Sequence, residues 1–154
     1  MLRISIICVG KIKEKYMQEA ITDYSLRLTK YVKLNIIEVP EDQSSDTNKR
    51  IENECDAMLH KTPSDAYKIV LDLKGKELTS EKFAEQINKI PLQGISHIVF
   101  YIGGSDGISQ LLRDKADSSF CMSKLTFTHQ MARMILVEQL YRAMKINNGE
   151  KYHK

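Results

Sequence analysis

The sequence predicts an α/β protein, a parallel sheet with helices on both faces, and three observations carry that reading. Strand-like and helix-like stretches alternate along nearly the whole chain, as βαβ units require. Ile98, Val99, Phe100, Tyr101 and Ile102 form an unbroken apolar run of strand length, which suits a strand buried on both faces. The turn Gly103-Gly104-Ser105-Asp106-Gly107 then breaks the run, and in open α/β sheets ligands sit beyond the carboxyl ends of strands. On these residues alone the turn either borders a ligand site or simply joins a strand to a helix. A chain of 154 residues is enough for one ordinary domain, here expected to be residues 1–154.

The elements follow in order. Leu2–Val9 is strand-like, with β-branched Ile4, Ile6, Ile7 and Val9, and Gly10 ends it. Tyr16, Ala20, Tyr24, Leu28 and Tyr31 recur near helical spacing, so the first helix is expected over Lys15–Thr29. Leu34–Val39 is the second strand, closed by Pro40. Ser44, Ser45 and Asp46 are candidate caps for a helix marked by Ile51, Cys55, Met58 and Leu59, which ends before Pro63. Lys68–Leu73 is the third strand. Thr79 or Ser80 caps a helix carrying Phe83, Ile87 and Ile90. The apolar run is the fourth strand, Ser109–Lys115 a short helix, and Ser118–Met122 a fifth strand with Phe120 inward.

The last helix is expected from His129 to about Ile146, roughly 27 Å long. Its apolar residues, from Met131 to Met144, cover most of its circumference. Such a helix needs two surfaces to pack on. The sheet is one, and a second subunit is expected to be the other, which makes a homodimer.

Several function classes lack their motifs. Lys74-Gly75-Lys76 misses the first glycine of a P-loop, and Glu77 follows where Ser or Thr is needed. No strand precedes G-x-G-x-x-G, and no G-x-S-x-G occurs. His60, His97, His129 and His153 form no metal-ligand spacing, so no metal is expected. Cys8, Cys55 and Cys121 are widely spaced; Cys8 and Cys121 sit in apolar strand patterns as buried thiols. No apolar run reaches a membrane span, and the start alternates as a strand rather than a signal peptide, so a cytoplasmic protein is expected. The net charge of +3 is mild. Lys11, Lys13 and Lys15, and the cluster Lys145, Lys151, His153 and Lys154, are either solvated surface or phosphate contacts.

The block Phe120–Arg142, FCMSKLTFTHQMARMILVEQLYR, is the most informative. Met122–Phe127 is an irregular link into the last helix, and Thr128 can cap that helix through its hydroxyl. His129 then sits in the first turn, as a structural or a catalytic residue, with Arg133 one turn on. Glu138 and Arg142 stand at i,i+4 spacing, as a surface ion pair or as part of a site.

With these residues in place the chain resembles the ribosomal RNA large subunit methyltransferase H family of the SPOUT class. The carriers are ISIICVGKIKEKY, VLDLKGK, IGGSDGI, FCMSKLTFTHQMARMILVEQLYRA and the terminal YHK, in order over essentially the whole chain. The resemblance implies an α/β-knot with a C-terminal trefoil and a homodimer. It implies transfer of a methyl group from S-adenosylmethionine to N3 of a pseudouridine in helix 69 of 23S ribosomal RNA, within the assembled 70S ribosome. It places the cofactor against Leu71, Gly103 and the six residues Met122, Ser123, Lys124, Leu125, Thr126 and Phe127. Leu71, Leu125 and Phe127 are expected around the adenine ring. Relatives usually carry proline where this chain has Thr128, which can start the helix but stiffens the loop less.

Removing the N3 proton needs a base near the target nitrogen. His153 is the first candidate, with Tyr152 orienting it or stacking on the base. Arg142 and Arg133 could hold phosphate or charge on the uracil ring, and His129 is a further catalytic candidate. SPOUT tails commonly reach the partner's pocket, so a composite site is implied. The competing class is a non-catalytic ribosome-binding α/β module; a nucleotide-binding hydrolase lacks its motifs.

Overall fold

The computed structural model describes residues 1–154. The strands are β1 (Arg3–Val9), β2 (Lys33–Val39), β3 (Tyr67–Glu77), β4 (His97–Ile102) and β5 (Ser118–Cys121). The helices are α1 (Lys15–Leu28), α2 (Thr47–His60), α3 (Ser80–Lys89), α4 (Gln110–Lys115) and α5 (His129–Asn147). All strand pairs are parallel, in the order β2-β1-β4-β3-β5, as the sequence predicts for the class.

Side-chain alternation along each strand divides the core into two layers. Ile4, Ile6 and Cys8 of β1 and Ile98, Phe100 and Ile102 of β4 face α1, α3 and α5. Ile7 and Val9, with Val99 and Tyr101, face α2 and α4. The whole of β4 is buried, which is why its apolar run carries no polar position. Burial pushes the Cys8 thiol up to about 12, against the pull of Arg133, so it stays an unreactive thiol at neutral pH.

Two local expectations are corrected. Strand three does not stop at Leu73 but runs to Glu77. Both Leu71 and Lys76 pair with Phe120 of β5, so the chain between them bulges out and rejoins the sheet. A Cβ at Gly75 would stand 2.8 Å from the Phe120 backbone nitrogen, so only glycine lets the two backbones approach this closely. In α1 the buried stripe is Met17, Ile21 and Leu28, while Tyr16 is exposed. The helix is where its periodicity predicts, and Tyr24, Leu28 and Tyr31 of the expected stripe do pack on the core; in the first turns Met17 and Ile21 take the inner place instead of Tyr16.

The final helix lies across the sheet between α1 and α3. These two neighbours cover much of the apolar circumference that suggested a second subunit. Met131, Met134 and Ile135 stay partly open. No helix is long and apolar enough to cross a membrane.

Candidate active site

A cleft of about 820 Å³ opens at the carboxyl ends of β3, β4 and β5. Its volume lies in the usual range for a site that takes a cofactor-sized molecule. Three chain segments meet there: the end of β3 at Leu71, the turn after β4 at Gly103, and the link from Met122 to Phe127. Those segments are 32 and 19 residues or more apart in sequence, and the resemblance named all three. Ile102, Ile108, Phe120 and Ala132 complete the apolar wall.

The Gly103 turn is built by backbone approach. A Cβ there would meet the Gly107 carbonyl oxygen at 2.7 Å and the Ile108 Cδ1 at 2.8 Å. Gly107 itself has a φ of 100°, and its N–H donates to the Gly104 carbonyl at 3.1 Å, closing the turn. Arg50 ties this turn to the start of α2: its Nε donates to Asp106 at 3.0 Å and its Nη1 to the Ser44 carbonyl at 2.8 Å. Behind Gly104 lies the carboxylate of Glu54, 5% exposed, with Oε2 accepting from the Asp42 N–H at 3.0 Å. Burial raises the Glu54 carboxyl above its ordinary value, against the Asp42 hydrogen bond.

The Met122–Phe127 link makes no backbone-to-backbone hydrogen bond. Its shape is set by side chains. The Leu125 N–H donates to Ser123 Oγ at 3.0 Å, and Cys121 Sγ donates to the Ser123 carbonyl at 3.1 Å. Most of its amides and carbonyls are therefore free for a ligand. Leu125 is 72% exposed at the rim, an apolar side chain with nothing over it. Lys124 is the one residue of the six that does not line the cleft; its ammonium lies 3.6 Å from Glu77.

Asp72 and Arg113, which sequence reasoning missed, close one wall. Arg113 Nε donates to Asp72 Oδ2 at 2.5 Å and Nη2 to Oδ1 at 3.4 Å, joining α4 to the β3 bulge. Burial raises the Asp72 carboxyl, but the Arg113 and Lys74 hydrogen bonds outweigh it and leave it below its ordinary value. The two residues are 41 positions apart, and no local pattern could have paired them.

At the other end of the cleft Thr128 caps α5, its hydroxyl accepting from the Met131 N–H at 3.2 Å. His129 follows, half-buried and lining the cleft, with Nδ1 lacking a partner. Burial lowers its pKa, with Glu41 opposing and Arg133 assisting, so the imidazole is neutral at pH 7. Arg133 corrects an expectation: it is 2% exposed and cannot reach RNA. Its Nη1 donates to Glu38 at 2.5 Å and its Nη2 to the Gly10 carbonyl at 2.9 Å, locking α5 to the ends of β1 and β2.

Arg142, Tyr152 and His153 lie together but outside the cleft. They sit on the later turns of α5 and the tail, roughly 20 Å along the helix from His129. Arg142 donates to Glu138 at 2.5 Å and to His153 at 3.1 Å, and its guanidinium stands 4.8 Å from the Tyr152 ring centre. The Tyr152 hydroxyl donates to Glu138 at 2.9 Å. The Glu138–Arg142 pair is thus the hub of a network rather than a lone surface pair.

Comparison with known proteins follows the same lines. A family model described as "Predicted SPOUT methyltransferase" matches residues 2–153. A Clostridium perfringens protein named ribosomal RNA large subunit methyltransferase H is 45% identical over 99% of this chain and all of its own length. A Clostridium botulinum protein of the same name is 43% identical over the same shares. A Methanococcus maripaludis protein is 44% identical, again over 99% of this chain and its whole length. With a full-length family match and relatives at this identity, the chain belongs to the SPOUT methyltransferases, in the ribosomal RNA large subunit methyltransferase H family.

Proposed function

We propose that this chain is an S-adenosylmethionine-dependent methyltransferase acting on N3 of a pseudouridine in helix 69 of 23S ribosomal RNA, in the 70S ribosome. The observation that carries this is the meeting of Leu71, Gly103 and the Met122–Phe127 link around one cleft. The names of the relatives supply the RNA class. The cleft suits the cofactor chemically: apolar side chains for an adenine face and unpaired backbone groups for its edge and for the ribose. When bound, S-adenosylmethionine supplies an electrophilic methyl group and calls for no metal.

The chain's own residues then have three tasks. Leu71, Gly103 and Met122, Ser123, Leu125, Thr126 and Phe127 hold the donor, with Lys124 at the outer rim. Alignment of the reacting atoms supplies much of the acceleration. His153 accepts the N3 proton, Tyr152 orients the base or stacks on the target ring, and Arg142 meets the charge that grows on the uracil oxygens. His129, neutral and lining the cleft, offers a hydrogen bond at its inner end.

The distance along α5 between cleft and tail supports a homodimer in which each cleft is completed by the partner's tail. The partly open Met131, Met134 and Ile135 suit such an interface. The trefoil knot fits the chain path. The β3 extension pairs with β5, and α5, which follows β5 through the cleft link, packs between α1 and α3 and touches β4. We place the enzyme in the cytoplasm, with the ribosome.

The test mixes 70S ribosomes lacking the modification with this protein and radiolabelled S-adenosylmethionine, and maps the labelled nucleotide. Label at N3 of one helix 69 pseudouridine is the expected result. Label elsewhere, or none, overturns the proposal.

A further inference from the structure

The tail network fixes more than the positions of its members. Arg142 Nη1 lies 3.1 Å from His153 Nδ1. A guanidinium can only donate, so Nδ1 is the acceptor. The neutral ring therefore carries its proton on Nε2, and Nε2 lies 2.5 Å from Glu81 Oε1. That N–H donates to the carboxylate. Glu81 comes from the first turn of α3, a helix capped by Thr79, where a negative charge is favoured. The His153 hydrogen bond, first among its causes, holds the Glu81 carboxyl below its ordinary value.

We propose that Glu81 is a positioning residue for methyl transfer: it holds His153 as the Nε2–H tautomer and turns the Nδ1 lone pair toward the substrate. This rests on His153 being the base named above. In the step, the N3–H bond breaks and its proton passes to His153 Nδ1. The N3 electron pair forms the new bond to the methyl carbon, and the sulfur–methyl bond breaks with its pair left on sulfur as a thioether. Substrate must displace Arg142 from Nδ1, which frees that guanidinium for the uracil oxygens. Glu81 then faces an imidazolium and stabilises it, the division of labour a carboxylate has in a hydrolase triad. The charged and titratable groups facing His153 are Glu81 from α3 and Arg142 with Glu138 from α5. Tyr152 from the tail completes the group, and its hydroxyl touches Tyr24 of α1.

The full-length chain tests this in two ways. Nitrogen NMR of the His153 ring should show the Nε2–H tautomer in the parent and a mixture of the two tautomers in Glu81→Gln. Single-turnover methylation of ribosomes by Glu81→Gln should fall roughly three- to tenfold at neutral pH. S-adenosylmethionine affinity should be unchanged, and Glu81→Asp should recover part of the rate. An Nδ1–H tautomer in the parent, or a Glu81→Gln protein with the parent's rate and tautomer, overturns the role of Glu81 alone. A parent protein inert on ribosomes overturns the function itself.

Discussion

The cleft and the tail network are built in opposite ways. The cleft is a backbone structure, with a turn too tight for any Cβ, a link most of whose amides are unpaired, and apolar walls. The tail network is a side-chain structure, in which two carboxylates, an arginine, a tyrosine and a histidine hold one another. Backbone geometry survives changes of pH and salt and is broken by volume. A charged side-chain network tolerates volume and is broken by removing one charge. The proposed binding role of the cleft and the proposed chemical role of the tail therefore rest on different physical terms, and mutation can test them separately.

That contrast can be broken at its root or at its edges. The largest effect is expected at neither region but at the tie that holds α5 beneath both. Glu38→Ala removes the carboxylate from the buried Arg133 guanidinium and leaves it only the Gly10 carbonyl, at a cost of about 3 kcal/mol. Urea denaturation should show this loss, and a loss under about 1 kcal/mol would mean the pair carries no load. Next comes Gly103→Val, where the new side chain strikes the Gly107 carbonyl. Overpacking of about 1–3 kcal/mol should weaken S-adenosylmethionine binding roughly ten- to a hundredfold in calorimetry.

Arg142→Ala should do the reverse. Losing a charged hydrogen bond of about 1.5–3 kcal/mol lowers single-turnover methylation roughly ten- to a hundredfold, with cofactor affinity unchanged. Equal losses of binding and rate in either variant would erase the contrast.

Smaller effects sharpen it. Thr128→Ala removes the α5 cap and should cost about 1 kcal/mol in thermal or urea unfolding. The smallest is a pH effect at the cleft wall. The Asp72 carboxyl is held below its ordinary value of 3.8 in the folded chain. Its contribution is therefore complete above that value and is lost as pH falls through the lower folded value. Comparing urea midpoints at pH 5 and pH 3 for the parent and Asp72→Asn should show a smaller acid loss in the variant.

How much of this was legible in the sequence follows the range of the interactions. Thr128 and the apolar run of β4 were readable because a cap and a strand period are local patterns. The Gly103 turn was readable as one end of a possible ligand site from its glycines after a buried strand, whereas Leu71 and the Met122–Phe127 link were readable only through family resemblance, since nothing in composition brings them to Gly103. Arg133 was offered as a holder of phosphate or of charge on the uracil ring because its actual partners, Glu38 and the Gly10 carbonyl, lie 95 and 123 residues away. Glu81, 72 residues from His153, left no local signal at all. The β3 bulge was missed because Lys74-Gly75-Lys76 has the composition of a loop, and only the approach of Phe120 shows why the glycine is there.

Titration calorimetry of the purified chain with S-adenosylmethionine tests the central claim most directly, that the Gly103 turn and the Met122–Phe127 link form the pocket for the methyl donor. Saturable binding at one site per chain, greatly weakened in Gly103→Val and intact in Arg142→Ala, is the result this account predicts. No heat from the parent protein, or binding indifferent to Gly103→Val, would contradict it.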